Sequence, residues 1–173
     1  PKLWLCLYLP NLALEVFYPS GPKQPPNDGL KPIAIIQQQR IEALSYHAAA
    51  TGLRVGTMAS HAYALCENLT CIEKSAAKER RALAQIAQWL YEFTPNVCPY
   101  GDQHLILEVS SSLKLFSGLN HLKYLIEEKT THLGYTPKLG VSQTPLAAKI
   151  SAEIDCPDNH QQSPGIALKS LQL

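Results

Sequence analysis

Few residues of this chain have the types and spacing of a known catalytic or metal-binding motif. The six histidines fall on different predicted elements without the spacing of metal ligands. The sequence contains no phosphate-binding loop and no zinc-protease or serine-hydrolase motif. Glu108 is the only acid in the predicted strand Leu105–Val109, where a lone glutamate is more often a hydrogen-bonded structural group than a general base. Any chemistry must therefore come from residues that only the fold brings together.

The stretch Leu3–Glu15 is the element around which the rest of the chain is organised. Its first half, Leu3–Leu9, is apolar on both faces, which predicts a central strand covered on both sides of its sheet. Pro10 ends the strand because it cannot donate to a ladder, and Asn11 can then cap a short helix to about Phe17. The end of a central strand is a common place for chemistry, yet this strand has no Asp or Glu.

The remaining pattern alternates short strands with helices. Pro and Gly are dense over residues 19–31, which predicts a surface loop. We predict strands over 32–36, 40–45, 69–73, 97–100, 105–109 and 138–141, and helices over 46–51, 58–66 (capped by Thr57), 75–93 (capped by Ser75), 119–133 and 144–154 (capped by Thr144). Without an inserted unit at 19–73, this order is that of a split βαβ sandwich whose sheet is covered on one face by the two long helices. The predicted fold class is therefore α+β, ferredoxin-like.

Composition indicates a globular protein. The chain has 173 residues, of which 46% are hydrophobic, and a formal net charge of +1, so this segment alone offers no electrostatic case for strong nucleic-acid binding. Its five cysteines form no CxxC pair, which favours reduced, mostly buried thiols. We expect neither a signal peptide nor a membrane span. A start without Met and an end within an apolar pattern suggest a piece of a longer protein.

Four blocks resemble, in order, the motifs of the Y-family (translesion) DNA polymerases. Leu3–Glu15 is similar to the first palm motif, and Tyr46–Met58 to the fingers motif. Leu105–Ser110 and Gly140–Lys149 are similar to the two later palm motifs. The ordered set covers nearly the whole chain. It implies a palm formed by residues 1–18 and 74–160, a small fingers-like insertion at 19–73, and the start of a truncated thumb region at 161–173.

The resemblance places non-acidic residues at the positions of the family's metal-binding carboxylates. With Glu15 matched to the final Glu of the first motif, the two aspartates fall on Cys6 and Tyr8. With Glu108 matched to the Asp of the later palm motif, the catalytic Asp–Glu pair falls on Gln103 and His104. A register slip by one residue would place Asp102 at a metal position and would still leave one acid where three are needed.

The nucleotide-contacting positions are only partly retained. The aromatic pair of the first motif falls on Pro10 and Asn11, so the position of the steric gate against ribonucleotides is Asn11 here. Tyr46 keeps the triphosphate-contacting Tyr of the fingers, but its Arg partner falls on Ala49. Lys149 keeps the last phosphate-contacting Lys, so Tyr46 and Lys149 are the residual nucleotide-phosphate contacts that the resemblance implies.

Two-metal phosphoryl transfer needs carboxylates that hold two Mg²⁺ ions about 3.5–4 Å apart. Thiol, phenol, amide and imidazole groups do not replace carboxylates for a hard cation. This predicts no catalytic residue, no bound metal and no cofactor. The alternative is a divergent polymerase with weak, Mg²⁺-dependent nucleotidyl transfer. A Zn²⁺ ion bridging Cys6 and His104 would have only two obvious ligands, whereas zinc sites in proteins usually have three or four, so we do not expect zinc here.

Two stretches of the sequence match a particular group within the Y family more specifically than they match the general Y-family motifs. Leu3–Glu15 and Leu105–Gly118 are similar to the ImuB group, polymerase-like proteins of bacterial mutagenic repair. This resemblance implies a cytoplasmic, nucleoid-associated and DNA-damage-induced scaffold for translesion synthesis. Its implied partners are a RecA-like accessory protein, the sliding clamp, an error-prone replicative-class polymerase, and damaged or primed DNA held by regions beyond this segment. Besides the scaffold and the divergent polymerase, a third hypothesis is an unrelated globular domain whose matches to these motifs are accidental.

Overall fold

The computed structural model describes residues 1–19 and 31–154. Strands and helices in these ranges follow the predicted order closely. The strands are β1 (Trp4–Tyr8), β2 (Ile33–Gln37), β3 (Arg40–Leu44), β4 (Thr70–Glu73), β5 (Val97–Pro99), β6 (His104–Glu108) and β7 (Lys138–Ser142). The helices are α1 (Leu12–Glu15), α2 (Tyr46–Ala50), α3 (Ala59–Leu65), α4 (Ala76–Leu90), α5 (Leu119–His132) and α6 (Pro145–Glu153).

The larger sheet has four strands in the order β5-β6-β1-β7, and all its pairs are antiparallel. Strand β1 lies between β6 and β7, which confirms its predicted central place. The crossover through α4 returns the chain to the edge strand β5, the hairpin β5–β6 follows, and α5 leads to β7 at the other edge. This arrangement is the predicted α+β split βαβ topology.

Both faces of β1 are covered because its side chains alternate between two apolar layers. Leu5, Leu7 and Leu9 are fully buried on one face, in the core built by α4 and α5. Cys6 is buried on the opposite face, where it packs against Ala148 of α6. The two long helices therefore cover one face, as expected, and the short helix α6 covers the other, which the sequence pattern did not indicate.

The residues between β2 and β4 form a second, three-stranded sheet in the order β3-β2-β4. Strands β2 and β3 form the predicted hairpin, and its turn places Gln38 and Gln39 at φ values of 49° and 64°. Strand β4 pairs parallel to β2. A separate core of small and branched side chains, among them Ala34, Ile41 and Ala62, lies beneath this sheet.

Two of the four predicted helix caps are confirmed. The hydroxyls of Ser75 and Thr144 accept hydrogen bonds from backbone N–H groups of the first turns of α4 and α6. The prediction for Asn11 was wrong, because Asn11 has φ −102° and ψ 16° and its side chain makes no cap hydrogen bond. The prediction for Thr57 was also wrong. Met58 is extended and pairs with Arg40, so α3 begins only after Met58.

Other predictions need smaller corrections. Helix α4 ends at Leu90, not Phe93. Of the described cysteines, Cys6 and Cys66 are buried but Cys98 is exposed, so the expectation of mostly buried thiols holds only in part. No helix within residues 1–19 and 31–154 has the length and apolar character to cross a membrane. The predicted loop at 19–31, the palm end at 160 and the thumb start at 161–173 lie largely or wholly outside the described residues.

Candidate functional site

The paired ends of β1 and β6 bring three of the predicted site residues onto one face of the larger sheet. Tyr8 lies opposite His104 in the antiparallel register, and Cys6 lies opposite Ile106. The Tyr8 and His104 rings stack with centroids 4.5 Å apart and planes only 6° from parallel. Two aromatic rings therefore fill the space between the strand ends, where the resemblance implies carboxylates.

His104 is held in a nearly closed environment. It is 7% exposed, and its Nε2 atom lies 2.9 Å from Oε1 of Glu153 on α6. Burial lowers the pKa of His104, and the nearby Glu153 carboxylate opposes that shift only in part. The contact is close, but Nε2 makes no well-aligned hydrogen bond within the described residues. The Glu153 carboxylate and the His104 ring therefore approach closely without a hydrogen bond between them.

Lys149 joins this contact from the same helix. Its Nζ atom lies 3.3 Å from Oε1 of Glu153, one helical turn further along α6. The Thr144 cap and Pro145 determine where α6 begins. A single carboxylate oxygen thus contacts the nitrogen atoms of both Lys149 and His104.

Cys6 lies beneath α6 and is 0% exposed. Ala148 and Ala152 pack on it, and its partner in the neighbouring strand is Gly140. Burial raises the pKa of the Cys6 thiol to about 12, with Glu153 adding to the shift and Lys149 opposing it. Cys6 is therefore a neutral, enclosed thiol, which is a poor nucleophile and a poor metal ligand.

The other predicted site residues take no part in the contacts described among Cys6, Tyr8, His104, Lys149 and Glu153. Gln103 is half-buried, and its side-chain amide donates to the Pro10 carbonyl over 3.4 Å. Asn11, which follows β1, and Asp102, which precedes β6, are both exposed. Tyr46 belongs to the smaller-sheet unit, is 79% exposed and makes an edge contact with the ring of His47.

Glu153 is the residue of this group that the sequence interpretation missed. The only signal for it was its i,i+4 spacing from Lys149 on a predicted helix, which is common on solvated helix surfaces. Its contact with His104 depends on how α6 lies on the sheet, so local pattern could not indicate it. Glu108, by contrast, is the structural acid that was expected. Its Oε1 accepts the backbone N–H of Ser110 at 2.9 Å, and hydrogen bonds from the side chain and the backbone of Ser110 lower its pKa.

The donor set of the group does not suit a hard cation. It consists of an enclosed thiol, a phenol, an imidazole and one carboxylate that already contacts a lysine. In the part of the chain that the structure describes, no three His, Cys, Asp or Glu side chains lie together in a way that could hold a metal ion. The two Mg²⁺ ions of a polymerase therefore have no fitting ligands among these residues.

Sequence relatives of the chain are DNA polymerases. The family described as impB/mucB/samB matches residues 28–153. DNA polymerase IV of Clostridium acetobutylicum is 26% identical over 107 residues, which are 62% of this chain and 27% of that protein. DNA polymerase IV of Exiguobacterium sibiricum is 26% identical over 129 residues, 74% of this chain and 34% of that protein. The chain thus spans about a third or less of the length of these curated relatives.

Solved structures agree on the fold. A post-insertion binary complex of Dbh DNA polymerase superposes with a TM-score of 0.70 at 16% identity, covering 90% of this chain and 46% of that one. DinB from Sulfolobus solfataricus superposes with a TM-score of 0.65 over the same shares. At this identity the likeness concerns the fold alone. Because the family match extends over well more than half of its length, the chain belongs to the impB/mucB/samB family, within the Y-family DNA polymerase superfamily.

Proposed function

We propose that this chain is the palm and fingers part of a non-catalytic accessory protein for translesion synthesis, of the ImuB type. The observation that supports this proposal most directly is the stack of Tyr8 on His104 at the paired strand ends. In the proposed alignment these positions belong to metal-binding carboxylates. The stack fills them with groups that do not bind Mg²⁺.

The charged groups near the paired ends of β1 and β6 bear on whether this chain can catalyse polymerisation. A triphosphate and a primer hydroxyl react only when metal ions offset the phosphate charge and activate the hydroxyl. On α6, Lys149 already contacts Glu153 at 3.3 Å. Cys6 cannot supply a charge, because its thiol is enclosed and neutral. The group therefore lacks the charges that polymerisation needs.

In this proposal the protein acts as a scaffold that brings other repair proteins together. Its palm (residues 1–18 and 74–160) and fingers-like insertion (19–73) keep a polymerase shape that partners recognise. The partners are the sliding clamp, a RecA-like accessory protein and an error-prone replicative-class polymerase, which performs the synthesis. Damaged or primed DNA is held mainly by regions that follow this segment, and the complex works at the bacterial nucleoid.

Primer extension by the full-length protein tests the proposal. The assay uses a primed template, all four deoxynucleotides and either Mg²⁺ or Mn²⁺, with a DNA polymerase IV purified in the same way as the positive control. We expect extension by the control and none by this protein. The Lys149→Ala variant separates a contaminant from residual activity. Extension that remains after further purification and falls in that variant would overturn the non-catalytic assignment.

One observation favours the alternative of weak residual polymerisation. Lys149 is retained on α6, and Tyr46 is exposed on the smaller-sheet unit, so both of the phosphate-contacting positions that the family resemblance implies still carry suitable side chains. This alternative predicts slow, Mg²⁺- or Mn²⁺-dependent extension by the purified full-length protein. Co-purification of the full-length protein with the clamp and a second polymerase supports the accessory role independently of that assay.

A further inference from the structure

Helix α6 is apolar on its outer side as well as on the side that faces the larger sheet. Ala148 and Ala152 are buried against the sheet. Leu146 and Ile150 are one turn apart and lie about 200° around the helix from Ala148, so they point away from the sheet. They are 56% and 44% exposed, and Ile154, which follows the last turn, is 47% exposed. A helix that is apolar on both sides is normally covered on both sides.

The outer stripe, which we define as Leu146, Ile150 and Ile154, differs from scattered surface hydrophobics. Single exposed apolar residues are common, but here the large side chains of a helix point outward and its small ones point inward. The small inner residues are needed because α6 lies directly on Gly140. The outward position of the large residues has no such explanation within residues 1–19 and 31–154, so the stripe indicates a further contact.

The chain continues from the end of this stripe with a sequence that offers a matching apolar face. Ser163 and Pro164 have the residue types of an N-cap and a first helical position. The i, i+3, i+4, i+7 spacing of one apolar helix face then occurs at Pro164, Ala167, Leu168 and Leu171. Residues 155–162 would connect this segment to α6, and their number lies within the usual range for a helix hairpin.

We propose that residues 163–173 dock on the outer stripe of α6 as the second helix of an antiparallel pair. Helix α6 has 9 residues and is about 14 Å long, and the segment as a helix would be about 16 Å long, so the two lengths match. The short connection gives the segment an effective concentration in the millimolar range at the stripe, so even a weak contact forms. The inference goes beyond the proposed function and does not depend on whether the protein polymerises DNA.

A second copy of the chain fits the stripe less well. A standard specific interface buries about 800 Å² on each partner, with roughly 20–30 residues on each side. The stripe consists of three partly exposed side chains on one short helix, which is far below that size. A tethered segment needs no such area, because it does not lose the freedom that two separate molecules lose on association.

Cysteine alkylation in the chain of residues 1–173 tests the contact. Ile150→Cys places a thiol within the stripe, and Ser151→Cys is the matched control at an exposed position on another side of the same helix. Every protein also carries Cys156→Ser, so that the new thiol cannot form a disulfide with Cys156. Iodoacetamide rates are followed by peptide mass mapping and divided by the rates in denaturant. We expect the thiol at position 150 to react about tenfold or more slowly than that at 151, because it is reached only when the segment opens.

The pair of substitutions Leu168→Glu and Leu171→Glu removes the apolar face of the segment without changing α6. We expect it to raise the rate at position 150 to that at 151 and to leave the rate at 151 unchanged, while circular dichroism confirms that each variant is folded. Equal rates at the two positions without the Glu substitutions, or slow reaction at 150 that persists with them, would overturn the inference. Protection that increases with protein concentration would show that a second copy covers the stripe, which also overturns it.

Discussion

Gly140 of β7 and Cys6 of β1 are direct partners in the sheet, and helix α6 lies on this pair so closely that no side chain fits at Gly140. A Cβ atom there would lie 2.2 Å from the Ala148 carbonyl oxygen and 2.3 Å from the Ala152 nitrogen. Both are backbone atoms of a helix, which cannot turn aside as a flexible side chain can. The position of α6, and with it that of Lys149 and Glu153, therefore depends on this glycine.

We predict that Gly140→Ala lowers the free energy of unfolding by about 3 kcal/mol, the upper range for an overpacked site. Urea denaturation followed by circular dichroism measures the change. Ala77→Ser on the exposed face of α4 also adds one heavy atom, and it should shift the value by less than about 0.5 kcal/mol. Equal stability of Gly140→Ala and the unaltered chain would show that α6 does not pack as described.

The buried carboxylate of Glu15 connects the first helix to the loop before β7. Glu15 is 0% exposed, and it accepts the Thr136 hydroxyl at 2.6 Å and the Thr136 backbone N–H at 3.0 Å. Glu15→Ala leaves these donors without their partner, so we expect a loss of about 2–3 kcal/mol in unfolding free energy. Thermal and urea unfolding measure it, with the exposed Glu128→Ala as control. A loss no larger than the control's would contradict a structural role for Glu15.

The buried carboxyl group of Glu79 should make the free energy of unfolding depend on pH. It is 3% exposed, its Oε1 has no hydrogen-bond partner in the described residues, and Lys74 lies 3.9 Å from the other oxygen. Burial raises the pKa of Glu79 above 4.5, Lys74 opposes the shift, and the carboxylates of Asp102 and Glu42 add to it. The folded chain therefore holds this proton more tightly than the unfolded chain does.

The contribution of Glu79 to stability is thus full below pH 4.5 and is lost as the pH rises through the raised pKa. We expect Glu79→Gln to remove this slope and to be more stable than the unaltered chain at alkaline pH. Urea denaturation over a pH series checks it, and Glu73→Gln at an exposed position is the control. Parallel curves for Glu79→Gln and the unaltered chain would refute the assignment.

Cysteine reactivity should follow exposure and pKa. Cys98 is exposed, whereas Cys6 is enclosed and its pKa is raised to about 12. We expect iodoacetamide to modify Cys98 in the native chain at mildly alkaline pH and to leave Cys6 unmodified until denaturant is added, since only a thiolate reacts. Peptide mass mapping distinguishes the sites. Modification of Cys6 at the rate of Cys98 under native conditions would show that α6 does not cover it.

Much of the fold was predictable because its signals are local. Leu3–Leu9 has apolar residues on both faces, which is enough to predict a central strand. The caps at Ser75 and Thr144 were predictable because cap and first turn are adjacent in sequence. Asn11 shows the limit of such signals. A cap residue needs an extended backbone, but in the turn after Pro10 Asn11 has φ −102° and ψ 16°, and its side chain makes no cap hydrogen bond.

The candidate site was predictable only where strand register determined it. Tyr8 and His104 could be placed at one end of the larger sheet, because a family motif fixed the register of both strands. The contact of Glu153 with His104 could not be predicted, since it follows from the close packing of α6 on Gly140, which lies far from His104 in sequence. Long-range packing of this kind leaves no periodic trace in the sequence.

The stacking of Tyr8 on His104 also constrains which single substitutions this chain can accept at the two positions. Replacing Tyr8 alone with Asp would remove the ring that covers His104, and replacing His104 alone with Glu would put a second carboxylate beside that of Glu153. Each single step is unfavourable, and a working acid set would also need a change at the enclosed Cys6. The two rings therefore act as an epistatic barrier: a carboxylate site at these positions would require several substitutions together.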